Sequence, residues 1–363
     1  MSFLGQLFSG THAAVSFAQA SARMREVECE LRDEALSLGD HPKTIRFPHL
    51  ELPTQDYWER NFFSILFVSI FDAVGIAPER IRHYAAIVQL VRGIVTATDN
   101  ILDNENKGAM RVELAKGHVL SNTLCMLMQS ALMIRRVRAV APDPEGEART
   151  WGALIDKLYA IGEEESGEEE AVEDVLSPEA LLDTIHRFRG ANLLLLAFVA
   201  PELNEPALAD AIDLAKQGVF RIGMALQILD DLADFEEDLR RRNHNILRSW
   251  LVHGRGKDAA GRPAAPVSDA ALSALSVADQ KAPERVFPEA TGEVMVLAIE
   301  LCLSGFDRLT EAGHPLNRET ARELIGAMFR LRKLPHLWNL YLESAKLVDV
   351  ATLEPLMEVL ADP

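Results

Sequence analysis

Along most of the chain, apolar residues recur at spacings of three and four with polar residues between them, and alternating β-branched runs are scarce. That period belongs to amphipathic helices, not to strands. It predicts helices over 57–74, 78–104, 112–139, 150–161, 178–199, 206–241, 293–312 and 318–333, with a shorter one over 337–345. Three of these open on proline, which is tolerated at a first helical position because no intrahelical N–H bond is lost there. Between them, APDPEG at 141–146 reads as a turn and the acidic run 162–174 as a solvated connection. The Gly- and Pro-bearing stretch 254–289, with a short helix near 269–278, reads as a surface excursion or a lid. Residues 1–56 read as a helix followed by an extended arm, HPKTIRFPHLELP, and 347–363 as a tail. Without an internal repeat or a shift in composition, 57–346 reads as one domain, and the expected fold class is an all-α, single-domain helical bundle.

Composition narrows the partners. A formal charge of −18 repels a phosphate backbone, and the basic residues are scattered, so nucleic acid is not an expected partner. An acidic protein still takes a phosphorylated small molecule when divalent cations stand between carboxylates and phosphate oxygens. Cys29, Cys125 and Cys302 lie far apart with no metal spacing, an odd count that fits a reducing, cytoplasmic setting. The N-terminus shows no signal-peptide pattern. The longest apolar runs fall short of the roughly 18 residues of a spanning helix, so a soluble protein with no transmembrane segment is expected.

Candidate chemistry gathers in two stretches. In QILDDLADFEEDLRRRNHNI, from Gln227 to Ile246, Asp230, Asp234 and Asp238 lie four apart on one drifting helix face, with Asp231 one step round. Stacked carboxylates repel one another, a cost that a divalent ion removes by taking oxygens from two turns. Glu236, Glu237 and Arg240 to Arg242 have instead the acid-before-base spacing of a solvated face. The acids follow the almost wholly apolar run VFRIGMALQIL, which places them at the mouth of a buried helix. The same device occurs in TATDNILDNEN, where Asp99 and Asp103 follow IVQLVRGIV.

On these residues the chain resembles the trans-isoprenyl diphosphate synthases and their relatives among class I terpene synthases. DNILD at 99–103 is similar to the family's first aspartate-rich motif, and ALQILDDLAD at 225–234, with Gln227 and with Asp238 beyond it, to the second. The resemblance implies a helical bundle with a central active-site cavity, the two acidic motifs facing each other across its mouth. It implies about three Mg²⁺ ions held by Asp99, Asp103, Asp230, Asp234 and Asp238, with Asp231 also among the catalytic acids. It further implies a prenyl diphosphate substrate and a homodimer.

The chain departs from the elongating pattern where that pattern is basic. No Gly-Gly-Lys precedes Arg60, and the nearest basic residues upstream, Lys43 and Arg46, are out of register. NENKGAMR offers only Lys107 and Arg111 in place of paired arginines, and Asn243 and His244 stand where Gly-Lys is expected. HRFRG replaces the mid-chain Lys-Thr, leaving Arg187 or Arg189 as diphosphate contacts, Arg189 by register. Arg92, seven residues before Asp99, stands at a glutamine position; a buried arginine there needs an anion, an ion pair or a full set of acceptors. Gln227 and His244 complete the candidate diphosphate contacts. Aliphatic Ile94 and Val95 before the first motif allow a substrate of fifteen to twenty carbons or more. Arg332 and Lys333 read as basic residues at a helix C-terminus, with a diphosphate contact as the alternative. The favoured function is therefore a class I terpene synthase that ionises one prenyl diphosphate and cyclises or rearranges it. The alternative is a prenyltransferase whose divergent co-substrate site uses Arg60, Lys107 and Arg111, and the third reading is a non-catalytic subunit.

Overall fold

Helical period becomes helix along nearly the whole chain in the computed structural model, which describes residues 12–39, 43–166, 172, 174–258, 260–344, 353 and 356–357. In chain order the principal elements are α1 (His12–Ser37), β1 (Ile45–Arg46), α2 (Thr54–Arg60), α3 (Phe62–Ala73), α4 (Pro78–Leu102), β2 (Arg111–Val112), α5 (His118–Val140) and α6 (Pro144–Ser166). They continue with α7 (Pro178–Leu181), α8 (Val199–Asn204), α9 (Ala209–Ala233), α10 (Phe235–Arg241), α11 (Ile246–Val252), α12 (Pro288–Glu311), α13 (Arg318–Leu331) and α14 (Pro335–Ser344). The chain forms two compact units. One comprises Met1–Ile155, Leu196–Asp213 and Glu311–Leu316, the other Asp156–Leu195, Leu214–Thr310 and Asn317–Pro363.

In the first unit α1 packs on α3, α4 and α5, and α4 lies along α5. Phe67, Phe71, Tyr84 and Phe198 form an edge-to-face cluster, with Phe198 5.9 Å from Phe67 and 5.8 Å from Phe71 between ring centroids. Among the described residues α4 alone has the length and apolarity to cross a membrane; half of that window is buried, as in the core helix of a bundle. The extended arm does not stay single. It pairs as β1 antiparallel to β2, with Ile45 opposite Val112 and Arg46 opposite Arg111, and Glu113 N–H donates to Thr44 O at 2.7 Å.

Boundaries moved where side chains compete with helix. The segment 57–74 divides at Asn61 into α2 and α3. The helix predicted from 112 starts only at His118, because 111–112 is consumed by the strand pair and Gly117 takes φ +82°. The α6 helix runs on to Ser166, so the first part of the acidic connection is helical, and 167–171 and 173 lie outside the described residues. The segment 254–289 is a surface excursion fastened at several points. Lys257 N–H donates to Glu293 at 3.2 Å, Arg248 pairs with Asp269 at 2.7 Å, and Arg255 pairs with Glu179. Its expected short helix is two turns, Asp269–Ser273 and Val277–Gln280, each capped by a serine hydroxyl.

The largest departure positions the second acidic motif. Residues 178–199 form one α-turn and then an eleven-residue π-helix, Leu182–Asn192, where a continuous α-helix was predicted. The π-helix crosses α9 at a pair of glycines. A Cβ on Gly190 would lie 2.5 Å from Gly223 O, and one on Gly223 would lie 2.7 Å from Ala191 Cα. Only two glycines permit this approach, and it brings the π-helix side chains onto the acid-bearing end of α9. Gly223→Ala is therefore expected to destabilise the protein by about 1–3 kcal/mol, the range for overpacking. Urea unfolding checks this; an unchanged midpoint would show that the crossing is loose.

Candidate active site

The first acidic motif closes α4, and an asparagine organises the loop beyond it. Asn104 adopts a left-handed conformation with φ +54°, and Glu105 N–H donates to Asn100 O at 2.8 Å, ending the helix. Buried Asn100 donates Nδ2 to Lys107 O at 2.7 Å and to Asn122 Oδ1 at 3.1 Å, which folds 104–110 back onto the helix. Asp99 and Asp103 stay exposed one turn apart. Burial and then the Asp103 charge raise the Asp99 carboxyl, while Lys107 lowers it.

That folded-back loop, the β1–β2 arm and α4 enclose a cavity of about 520 Å³ within the first unit. Arg60, Arg92, Lys107 and Arg111 all line it, together with His49, which burial and then Arg92 hold down at about 4. Arg92 donates to Asn61 Oδ1 at 3.0 Å, Ser64 Oγ at 3.4 Å and Arg60 O at 2.7 Å. These acceptors are neutral, so they orient the guanidinium without cancelling its charge. Glu28, only 1% exposed, also lines the cavity; Gln89 donates to its Oε1 at 2.5 Å, while Oε2 lacks a hydrogen-bond partner. Burial pushes this carboxyl up to about 7 despite Tyr57, Arg92 and Arg25 nearby. Lys43 and Arg46 do not line the cavity.

In the second unit the predicted helix 206–241 breaks at Asp234, between α9 and α10. The acids around the break have separate lives. Asp231 is 4% exposed and fully engaged: His186 Nε2 lies 2.9 Å from its Oδ2, Ile246 N–H donates to the same oxygen at 2.6 Å, and Gln227 donates to Oδ1 at 3.2 Å. Asp238 accepts from Asn243 at 3.1 Å and from Asn245 at 2.9 Å, and burial and then the Asp231 charge push it up to about 6. Asn245 also donates to Asp231 O and caps α11 through its Oδ1. Asn243 is thus a clamp on Asp238. Gln227, expected as a diphosphate contact, gives one of its N–H groups to Asp231.

Asp230 and Asp234 line a cavity of about 400 Å³ with Lys281, Arg332, Lys333 and Glu284. Arg332 Nη1 meets Asp230 Oδ1 at 2.7 Å. Burial pushes Asp230 up to about 7 even so, and it raises Asp234 against the same arginine. Glu237 pairs with Arg240 and Arg241 at the surface, the solvated face expected of them. Arg187 pairs with Asp183 at 3.1 Å and lies 5.1 Å over the Phe220 ring, a structural placement. Arg189 and His244 stand near each other, since the Arg189 charge, after burial and Arg248, holds the His244 imidazole down.

Among the described residues no three His, Cys, Asp or Glu side chains converge as a ready metal cage. Mg²⁺ keeps several waters and takes one or two carboxylates plus substrate phosphates, so the acid pairs Asp99 with Asp103 and Asp230 with Asp234 could hold it without a full cage. Sequence reasoning missed His49, Glu28, Lys281 and the pairing of Arg332 with Asp230. The apolar-polar period of α1 carries no mark of which glutamate is buried, and Lys281 sits in a stretch that reads only as loop.

Two variants separate these roles. Asp231→Ala removes the acceptor of three donors, two of them buried, and should cost about 3–5 kcal/mol of stability, against under about 1 kcal/mol for exposed Asp234→Ala. Thermal and urea unfolding of both tests the contrast. Glu28 holds its proton more tightly when folded, so its stabilising share is complete below pH 4.5 and disappears as pH rises through about 7. Glu28→Gln should remove up to about 3 kcal/mol of that pH dependence. Urea titrations at pH 5 and pH 8 give the comparison, and parallel wild-type and variant curves would refute it.

No family model matches the chain, and no curated protein matches it in sequence. Solved structures do. A decaprenyl diphosphate synthase from Rhodobacter capsulatus, 18% identical, aligns over 90% of this chain and 98% of its own with a TM-score of 0.52. A polyprenyl synthase from Roseobacter denitrificans, 14% identical, aligns over 88% and 98% with a TM-score of 0.56. A geranylgeranyl pyrophosphate synthase from Lactobacillus brevis, 16% identical, aligns over 87% and 97% with a TM-score of 0.54. With its acidic helix ends, its near absence of strand and these alignments over almost the full length of each partner, the chain has the all-helical fold of the isoprenoid diphosphate synthases.

Proposed function

We propose that this protein is a prenyltransferase that elongates an allylic prenyl diphosphate with isopentenyl diphosphate. One observation carries the reading: Arg60, Arg92, Lys107 and Arg111, scattered through the sequence, line a single cavity beside the first acidic motif. The preference for a terpene synthase rested on the absence of the usual basic motifs. The cavity supplies the same charge from different positions, which favours a two-substrate reaction over cyclisation. The structures of similar fold bear the names of chain-elongating synthases, and that supports the same choice.

Asp99, Asp103, Asp230 and Asp234 would hold Mg²⁺, which when bound stabilises negative charge on a departing diphosphate. The carboxylates' task is to keep paired oxygens on successive helical turns. In the cavity, Arg92 is oriented by Asn61, Ser64 and the Arg60 carbonyl and presents its remaining N–H groups to a phosphate, with Arg60, Lys107 and Arg111 around it. The allylic C–O bond breaks with its electron pair leaving on diphosphate, the double bond of isopentenyl diphosphate attacks the allylic carbon, and the released diphosphate accepts the proton whose loss restores an alkene. Arg189 supplies further charge for the allylic diphosphate. Asp231 and Asp238 orient the motif.

Incubation with farnesyl or geranylgeranyl diphosphate, Mg²⁺ and isopentenyl diphosphate should yield longer prenyl diphosphates. Arg92→Ala should raise KM for isopentenyl diphosphate about 10–100-fold, the worth of a charged hydrogen-bonded contact, with a smaller effect on the allylic substrate. Hydrocarbon or alcohol products without elongation would restore the terpene synthase reading.

A further inference from the structure

In the second unit the acidic motif already has a cation. Arg332 Nη1 lies 2.7 Å from Asp230 Oδ1, and its charge reaches Asp234 as well. The arrangement is built into the end of α13. Lys333 is left-handed at φ +62°, its N–H donates to Arg330 O at 3.0 Å, and Leu334 N–H donates to Phe329 O at 2.8 Å. This paired 5→2 and 6→1 closure ends a helix firmly, but it normally uses glycine, so a lysine there adopts a less favourable backbone. The closure fixes Arg332 as the last residue before the turn, at the wall it shares with Asp230.

A permanent structural pair would be buried and would pack without space around it. This one is only partly buried, and it has space beside it. The Arg332 side chain is 38% exposed and that of Asp230 26%, and both line a cavity with Lys281 and Lys333. Partly exposed ion pairs contribute about 0–1 kcal/mol and break readily. Asp230 and Asp234 are also the carboxylates placed one turn apart for a divalent ion, and Asp230 Oδ1 cannot serve both cations at full strength.

Resting on the prenyltransferase reading of this site, we propose that Arg332 is a tethered stand-in for the metal: it neutralises Asp230 in the resting enzyme and transfers to the diphosphate when metal and substrate arrive together. Its charge is thereby conserved through the cycle. In the resting state it cancels a carboxylate, and in the loaded state it meets phosphate oxygens beside Lys281 and Lys333. This exchange makes metal binding depend on the anion that accompanies the metal.

Binding of Mn²⁺, followed by electron paramagnetic resonance of the free ion, tests this without turnover. In the full-length protein without added anion, Arg332→Gln should bind Mn²⁺ about tenfold more tightly than wild type, a coupling of ordinary size. Arg332→Lys keeps the charge and should stay within about twofold of wild type. Adding inorganic pyrophosphate should tighten Mn²⁺ binding in wild type and do so about tenfold less in Arg332→Gln. The gain in Arg332→Gln should vanish when Asp230→Asn is added. Equal or weaker Mn²⁺ binding by folded Arg332→Gln, as judged by its circular dichroism, overturns the stand-in role while leaving the prenyltransferase reading intact. A gain that survives Asp230→Asn overturns it too. Absence of pyrophosphate-dependent Mn²⁺ binding in wild type removes the prenyltransferase reading itself, and this inference with it.

Discussion

Like charges brought together on a fold must be neutralised, spaced or desolvated at a cost, and this constraint shapes both units. The first unit gathers cations around one cavity and keeps its acids exposed at the helix end. The second gathers acids at the break between α9 and α10, and gives each a different solution. Asp231 is satisfied by three donors, Asp238 by two carboxamides, and Asp230 by an arginine on a later helix. Asp234 remains toward solvent. Four aspartates that look equivalent in sequence therefore have four electrostatic situations.

Asparagine is the recurring tool. Asn100 and Asn122 fold the loop after the first motif, and Asn243 and Asn245 do the same after the second. A carboxamide donates and accepts at once, so it ties backbone to carboxylate without adding charge where charge is already dense. A lysine at 243 would add charge and forfeit that neutral clamp on Asp238. The departure from the family pattern at Asn243 is thus a change in how the motif is held.

Much of this was legible. Helical period carried the fold class and most helix cores, because that feature is local. What stayed hidden depends on pairs distant in sequence. The π-helix that replaces an expected α-helix meets α9 where Gly190 approaches Gly223, and neither glycine announces the other. Arg60, Arg92, Lys107 and Arg111 look scattered until the loop and the arm fold back and place them around one cavity. Arg332 looked like a helix-end residue, and it is one; its partner lies 102 positions upstream.

The strand pair is the smallest element of the fold, two residues on each side, yet it carries Arg111, which lines the cationic cavity. Ile45 and Val112 are separated by 67 positions, so closing this contact forfeits chain entropy that only a few backbone hydrogen bonds return directly. Such a seam belongs to the weakly held end of a protein's local stabilities. An anion held by Arg111 would, by linkage, stabilise the seam that carries this residue. Filling the cavity would then also fasten the N-terminal arm.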